Sequence, residues 1–212
     1  MAPTMVAGAA SDAASVADVF LEAMAPNALQ RAQFPDPAGE RFVRDWFAQD
    51  VVRHVQDADK GLLVARSEDG EIISFVKWLV HSPRASQEAP EEQDVWPETS
   101  NIKVLETYTA LTAKVREDVL GQTAYYHVSY LCTKPGHTGQ GAASGLLKLV
   151  QERASKDGMA VILESTMNVV SFYERLGFRV ALKFDLLLPP PGGQWTELYE
   201  ERSMVWKPDG KG

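Results

Sequence analysis

The sequence predicts an α/β (α+β) fold: one domain, residues 1–212, with a central mixed, mostly antiparallel sheet flanked by helices. Three observations carry this. The first half holds a clear β-hairpin, the second half alternates strand and helix patterns, and the chain closes on a hairpin-like pair of strands. A length of 212 residues suits one domain, and a hydrophobic fraction of 45% is enough to build its core.

In order, TMVAGAAS opens the chain as a short strand, and Ser11 or Asp12 can cap a helix with Val16, Val19, Phe20 and Ala23 on one side. Pro26, Pro35 and Pro37 make Ala25 to Pro37 a loop or broken helix. From Glu40 to Val55, Phe42, Val43, Trp46, Phe47 and Val51 recur at helical spacing. The hairpin is GLLVARS, a turn at Asp69-Gly70, then EIISFVKWLV. Ser82 to Thr99 is acidic and proline-containing, hence a loop, and Val104 to Val119 is a helix that Gly121 can end. These two segments form an insertion at about residues 82–122. Then come a strand (YYHVSYLCT), a glycine-rich turn, a helix from Gly145 to Lys156, a buried strand (MAVILES) and a short helix from Asn168 to Leu176. Two strands, Phe178 to Leu188 and Leu198 to Trp206, flank a Pro-Gly turn.

The composition excludes several roles. A formal net charge of -8 repels phosphate, so no nucleic-acid partner is expected and a cationic or neutral substrate fits better. No run of eighteen apolar residues is present, so no membrane span is expected, and the N-terminus lacks the basic and apolar regions of a signal peptide. The single cysteine, Cys132, rules out an internal disulfide and fits a cytoplasmic setting. No His/Cys/Asp/Glu cluster has metal-ligand spacing, so no metal is expected.

The chemistry concentrates in PGHTGQGAAS. A strand entering a glycine-rich turn before a helix aims several N–H groups at a positive helix end, which suits phosphate. Gly139 and Gly141 allow close approach to the backbone, and Ala142, Ala143 and Ser144 keep the first helical turn small. A P-loop would need lysine where Ala142 stands. A dinucleotide fold would need an acidic ribose partner with no clear counterpart here. A coenzyme A pyrophosphate remains, beside the plain alternative of a tight turn.

Two motifs sharpen the choice. Leu131-Cys132-Thr133-Lys134-Pro135 followed by Thr138-Gly139-Gln140-Gly141-Ala142-Ala143 resembles the strand, V-x-P and Q/R-x-x-G-x-G/A of the GNAT acetyltransferase superfamily. Phe172-Tyr173-Glu174-Arg175-Leu176-Gly177-Phe178 resembles its Y-E-K-L-G-F helix. The block Tyr125 to Val180 resembles the superfamily closely, and its layout is most similar to puromycin N-acetyltransferases and related fungal proteins. Thr138 and Gln140 depart from the more usual Gln or Arg and basic residue, which implies a weaker hold on pyrophosphate.

The resemblance implies strands splayed around acetyl-CoA and transfer of acetyl to the amine of a small molecule by direct attack. It implies that Leu131, Cys132, Thr133, Thr138, Gly139, Gln140, Gly141, Ala142, Ala143, Ser144, Asn168, Ser171 and Tyr173 contact the cofactor. It gives Tyr173 the role of protonating the departing thiolate, although Val169, Phe172, Tyr173 and Leu176 also form an apolar stripe. Glu164 and His127, on either side of the splay, are the two candidate bases, beside a solvent-relayed path. Trp46, Trp78, Trp96 and Tyr108 are candidates for the acceptor pocket, and Lys134 for partial charge compensation at the turn. Relatives often pair through late strands, so a homodimer is an option. A peptide acceptor, and a silent acyl-CoA-binding domain, are the competing readings.

Overall fold

The computed structural model describes residues 2–82, 96, 100–189, 194 and 196–208, with only the backbone of residues 37–40. Most of the acidic segment expected as a loop, and residues 190–193 of the Pro-Gly turn, therefore lie outside the described residues.

Seven strands form one sheet in the order β1-β2-β3-β4-β5-β7-β6. They are β1 (Thr4–Ala7), β2 (Lys60–Arg66), β3 (Ile72–His81), β4 (Tyr125–Thr133), β5 (Ala160–Thr166), β6 (Arg179–Leu188) and β7 (Glu197–Trp206). The helices are α1 (Ala13–Met24), α2 (Ala28–Gln33), α3 (Pro37–His54), α4 (Ile102–Leu120), α5 (Ala142–Asp157) and α6 (Val170–Arg175). Every neighbouring pair is antiparallel except β4 and β5. That single parallel pair follows from α5, whose crossover brings the chain back in the same direction.

Alternation along the strands gives the sheet two apolar faces. Phe75 of β3 faces α1 and α3 with Val16, Phe20, Phe47 and Val51, while its neighbour Val76 faces α5 with Leu146, Leu147 and Val150. Phe20 and Phe47 stack with centroids 4.1 Å apart, locking α1 to α3. Each such fully buried side chain is worth roughly 1.5–3 kcal/mol by transfer. The segment expected to be a loop or broken helix holds α2, which Asn27 caps by accepting from the Gln30 N–H at 2.9 Å. α3 starts at Pro37, a few residues before its apolar pattern, because proline's missing N–H is harmless at a first helical position. Gly121 ends α4 at a φ of 60°.

The functional geometry arises where β4 and β5 part. They pair only at Tyr125–Ala160, Tyr126–Val161 and His127–Ile162. Immediately beyond, the register of β4 against β3 jumps from Val128–Trp78 to Tyr130–Lys77, leaving Ser129 as an extra residue. Such a bulge bends its strand. Ser129 fixes it by donating its hydroxyl to the Lys77 carbonyl at 3.2 Å. β5 meanwhile stays with β7 as far as Thr166–Glu201. One strand bends away, the other does not, and the wedge expected from the sequence opens between them.

Candidate functional site

A cleft of about 1450 Å³ fills this wedge. One end is the turn before α5, the middle is the divergence of β4 and β5, and the other end is walled by α2, α3, α4 and β7.

Gly139 and Gly141 have φ of +76° and +86°, a region that residues with a Cβ rarely adopt. A Cβ at Gly139 would meet nothing within 4 Å, and one at Gly141 only the Ser144 hydroxyl at 4.0 Å. The glycines therefore serve the backbone path, and the space above them stays open to a ligand. The N-terminus of α5 has no side-chain cap and no acidic residue in its first turn. Its first intrahelical bond runs from Gly145 N–H to the Gly141 carbonyl, so the N–H groups of Ala142, Ala143 and Ser144 lie ahead of the helical ladder. An anion such as a pyrophosphate fits this cradle.

Leu131, Cys132, Thr133, Thr138, Gly139, Gly141, Ala142, Ala143, Ser144, Asn168 and Tyr173 all line the cleft; Gln140 and Ser171 are exposed and lie outside its lining. The Thr138 hydroxyl donates back to the Pro135 carbonyl at 3.2 Å, and Asn168 accepts from the Thr166 hydroxyl at 2.7 Å. Lys134 is held by Glu71 at 2.6 Å and Glu22 at 3.4 Å, which draws its charge towards α1 and the hairpin turn rather than the glycines.

Tyr173 projects from α6 into the middle of the cleft, with Phe172 and Phe178 against its ring at 5.1 and 5.8 Å. Among the described residues its hydroxyl has no hydrogen-bond partner. Burial raises its pKa well above that of ordinary tyrosine, and the nearby Cys132 and Glu201 add to this. It is thus a protonated O–H. Tyr173 is at once a core residue, 8% exposed, and a cleft residue, so the two sequence readings of it are compatible. Burial likewise pushes the Cys132 thiol up to about 12, which removes it as a nucleophile near neutral pH.

Glu164 and His127 meet across the parting strands. The His127 ring nitrogen Nε2 lies 2.8 Å from Glu164 Oε2, and Arg116 Nη1 donates to Oε1 at 3.0 Å. Burial would raise the Glu164 pKa, but His127 and Arg116 together outweigh it and hold the carboxyl below its ordinary value. Glu164 lines the cleft; His127 does not. A carboxylate with both oxygens engaged and a lowered pKa is a weak proton acceptor.

Sequence reasoning missed a second carboxylate. Glu201 of β7 is 4% exposed and lines the cleft. Tyr108 of α4 donates to its Oε2 at 2.9 Å and Tyr199 to its Oε1 at 2.7 Å, and Asn27 donates to the Tyr199 hydroxyl at 3.2 Å. Burial raises its pKa, the two hydroxyls oppose this, Glu164 adds to it, and the result is about 7. The signal available in the sequence was alternation: Tyr199, Glu201, Ser203 and Val205 share one face of β7. The run Glu-Leu-Tyr-Glu-Glu at 197–201 reads instead as a solvated acidic edge.

Of the aromatic residues expected in an acceptor pocket, Trp46, Trp96 and Tyr108 line the cleft. Trp78 does not. It packs into the α5 core, with the Arg153 guanidinium 5.2 Å from its ring. Trp78 faces α5 because alternation along β3 puts it on the same side of the sheet as Val76. Among the described residues no group of three or more His, Cys, Asp or Glu side chains could hold a metal, and no helix is long and apolar enough to cross a membrane.

The family model described as "Acetyltransferase (GNAT) domain" matches residues 98–183, from just before α4 into β6. Among solved structures the fold is similar to the histone acetyltransferase HPA2 and related acetyltransferase of Corynebacterium glutamicum, with 22% identity and a TM-score of 0.64 over 100% of this chain and 99% of that one. It is similar to arylalkylamine N-acetyltransferase 2 of Aedes aegypti, with 14% identity and a TM-score of 0.68 over 97% and 98% of the two chains. It is also similar to the PaiA N-acetyltransferase of Thermoplasma acidophilum in complex with coenzyme A, with 14% identity and a TM-score of 0.55 over 98% and 99%. At such identities the likeness establishes the fold. No curated protein matches the chain in sequence.

Proposed function

We propose that the chain is an acetyl-CoA-dependent N-acetyltransferase, as its match to an acetyltransferase (GNAT) domain over residues 98–183 suggests, that its acceptor is the amine of a small molecule, and that Tyr173 protonates the departing thiolate. The observation that carries this reading is the continuity of the cleft from the glycine cradle past Tyr173 to Glu201. Its volume of about 1450 Å³ exceeds the roughly 300–1,000 Å³ of ordinary ligand pockets, which suits two substrates held end to end.

Acetyl-CoA, when bound, supplies an activated acetyl thioester. The chain supplies everything else. The N–H groups of Ala142, Ala143 and Ser144 would hold the pyrophosphate, with Gly139 and Gly141 letting it approach. The part of β4 beyond His127 would present its backbone to the amide-bearing arm of the cofactor. Tyr173 would offer its proton to the sulfur. Cys132 stays protonated, so the acetyl group passes directly to the amine. That amine has to lose a proton first, at a cost of roughly 4–5 kcal/mol at pH 7 for an alkylammonium. Glu164 and His127, the bases expected from the sequence, instead brace the strands where they part. A cytoplasmic location and pairing of two copies through the β6 edge complete the reading.

The test is a calorimetric or thermal-shift titration with acetyl-CoA and CoA, using NAD and ATP as controls, followed by an amine screen of wild type and Tyr173→Phe. Selective CoA binding with amine turnover that the variant loses supports the proposal. CoA binding with no turnover on any amine makes the chain a silent acyl-CoA-binding domain.

A further inference from the structure

The cleft has two chemically different ends. The end near α5 contains the glycine cradle, His137 and Arg175. The far end contains Glu197, Glu200 and Glu201 beside a wall of aromatic rings. Phe34 lies 5.7 Å from Trp96, and Trp96 lies 4.8 Å from Trp46, centroid to centroid. The helix α2 joins wall to carboxylate. Asn27, just before it, bonds Tyr199, and Phe34, just after it, belongs to the wall. The seven helical steps from Asn27 to Phe34 span about 10 Å, which sets the scale of the separation between the support of the carboxylate and the wall. An aromatic ring on a two- or three-carbon arm bridges such a gap.

We propose that Glu201, positioned by Tyr108 and Tyr199, receives the ammonium of the acceptor and accepts its proton, while Phe34, Trp46 and Trp96 select an acceptor whose amine is carried on a flat apolar group. This rests on the acetyltransferase reading above and names its substrate class. The step balances. The ammonium N–H gives its proton to the Glu201 carboxylate, and the freed nitrogen lone pair forms the C–N bond. The C–S bond breaks towards sulfur, the thiolate takes the Tyr173 proton, and the second proton that the nitrogen sheds as the amide forms returns to the Tyr173 oxygen, leaving the proton on Glu201 to pass to solvent.

The groups facing Glu201 are Tyr199 on its own strand, Tyr108 from α4, and Glu164 from β5, which itself pairs with Arg116 and His127. Tyr173 from α6 is electrostatically coupled to it, and on β6 the residue opposite is Phe184. Arg202 donates to the Glu201 backbone carbonyl at 2.8 Å. The side chain is thus surrounded by neutral hydroxyls and one further carboxylate. Among the groups facing its carboxylate, none is a cation that pairs with it directly. A cationic ligand would fill that role. A raised pKa of about 7 agrees, since a carboxylate lacking a cation holds its proton.

The experiment is calorimetry of the full chain saturated with CoA, using 2-phenylethylamine as probe, with 2-phenylethanol and n-butylamine as comparisons. It is run from pH 6 to 8 in two buffers of different ionisation enthalpy. We expect 2-phenylethylamine to bind at least tenfold tighter than either comparison. Its affinity should rise with pH through the titration of Glu201, and proton release near pH 7 should be measurable from the buffer difference. Glu201→Gln should lose tenfold or more in affinity together with the proton release, while binding CoA as wild type does. Equal affinity for 2-phenylethanol, equal affinity for n-butylamine, no binding of 2-phenylethylamine, or a variant that releases protons as before overturns the proposal. The alcohol and butylamine comparisons need only wild type. Failure to bind CoA overturns the acetyltransferase reading itself, whereas CoA binding with acceptor binding indifferent to Glu201 overturns this inference alone.

Discussion

Glu201 makes a prediction about stability that is independent of any substrate. Its carboxyl has an ordinary value of 4.5 and in the folded chain is raised to about 7, chiefly by burial. A group whose folded pKa lies above its unfolded one binds more protons in the native state between the two values, so stability falls as pH rises through that window. The difference corresponds to about 3 kcal/mol at ~1.4 kcal/mol per decade, lost between about pH 4.5 and pH 7. His54 acts in the opposite sense. Burial and then Lys77 lower its pKa to about 4 from 6.5, so stability rises with pH between those values. The two effects offset one another in wild type, and its stability curve alone hides both. The difference between wild type and Glu201→Gln removes His54 and exposes Glu201. Urea unfolding at pH 4.5, 6 and 8 should show the variant gaining on wild type by about 3 kcal/mol from the lowest pH to the highest. A difference that stays constant with pH, or that changes in the other direction, would refute the burial argument.

Tyr173→Phe should reduce kcat by roughly 10²-fold or more with CoA affinity unchanged, since only a hydroxyl without a partner is removed; steady-state kinetics beside a CoA titration checks both. Gly141→Val forces a β-branched residue to a φ of +86° and should cost about 1–3 kcal/mol while weakening CoA binding, although no neighbour is struck. Arg116→Met leaves Glu164, whose side chain is 9% exposed, short of a buried partner and should destabilise by roughly 3 kcal/mol in chemical denaturation. Two copies pairing through the β6 edge should sediment as a dimer, and Leu187→Lys, at a position 47% exposed, should shift the distribution to monomer.

Much of the fold was legible because its signals are local. The Asp-Gly turn between β2 and β3, the 3.6-residue stripe of α5, and the glycines of the cradle each state their conformation within a few residues. The cradle's ligand class and the tyrosine of α6 were legible through motif likeness. Other features were not. Trp78 and Trp46 look alike as aromatics on amphipathic elements, yet one faces α5 and the other the cleft. The β4 bulge at Ser129 leaves no mark in the sequence, because a bulge is a register against a partner strand.

By itself the sequence determined the elements, the order in which they alternate, and the turn that can receive a pyrophosphate, all consequences of short-range backbone preference and hydrophobic period. Only the tertiary structure decided the proton chemistry. Glu164 and Glu201 are the same residue type on adjacent strands. Arg116 and His127 hold one ionised, while burial without a directly paired cation, only partly offset by two tyrosine hydroxyls, raises the other to about 7. Arg116, His127 and Tyr108 lie 48, 37 and 93 residues from the carboxylates they contact, and it is the electrostatic environment that folding assembles, not the residue's identity, that sets where its proton goes.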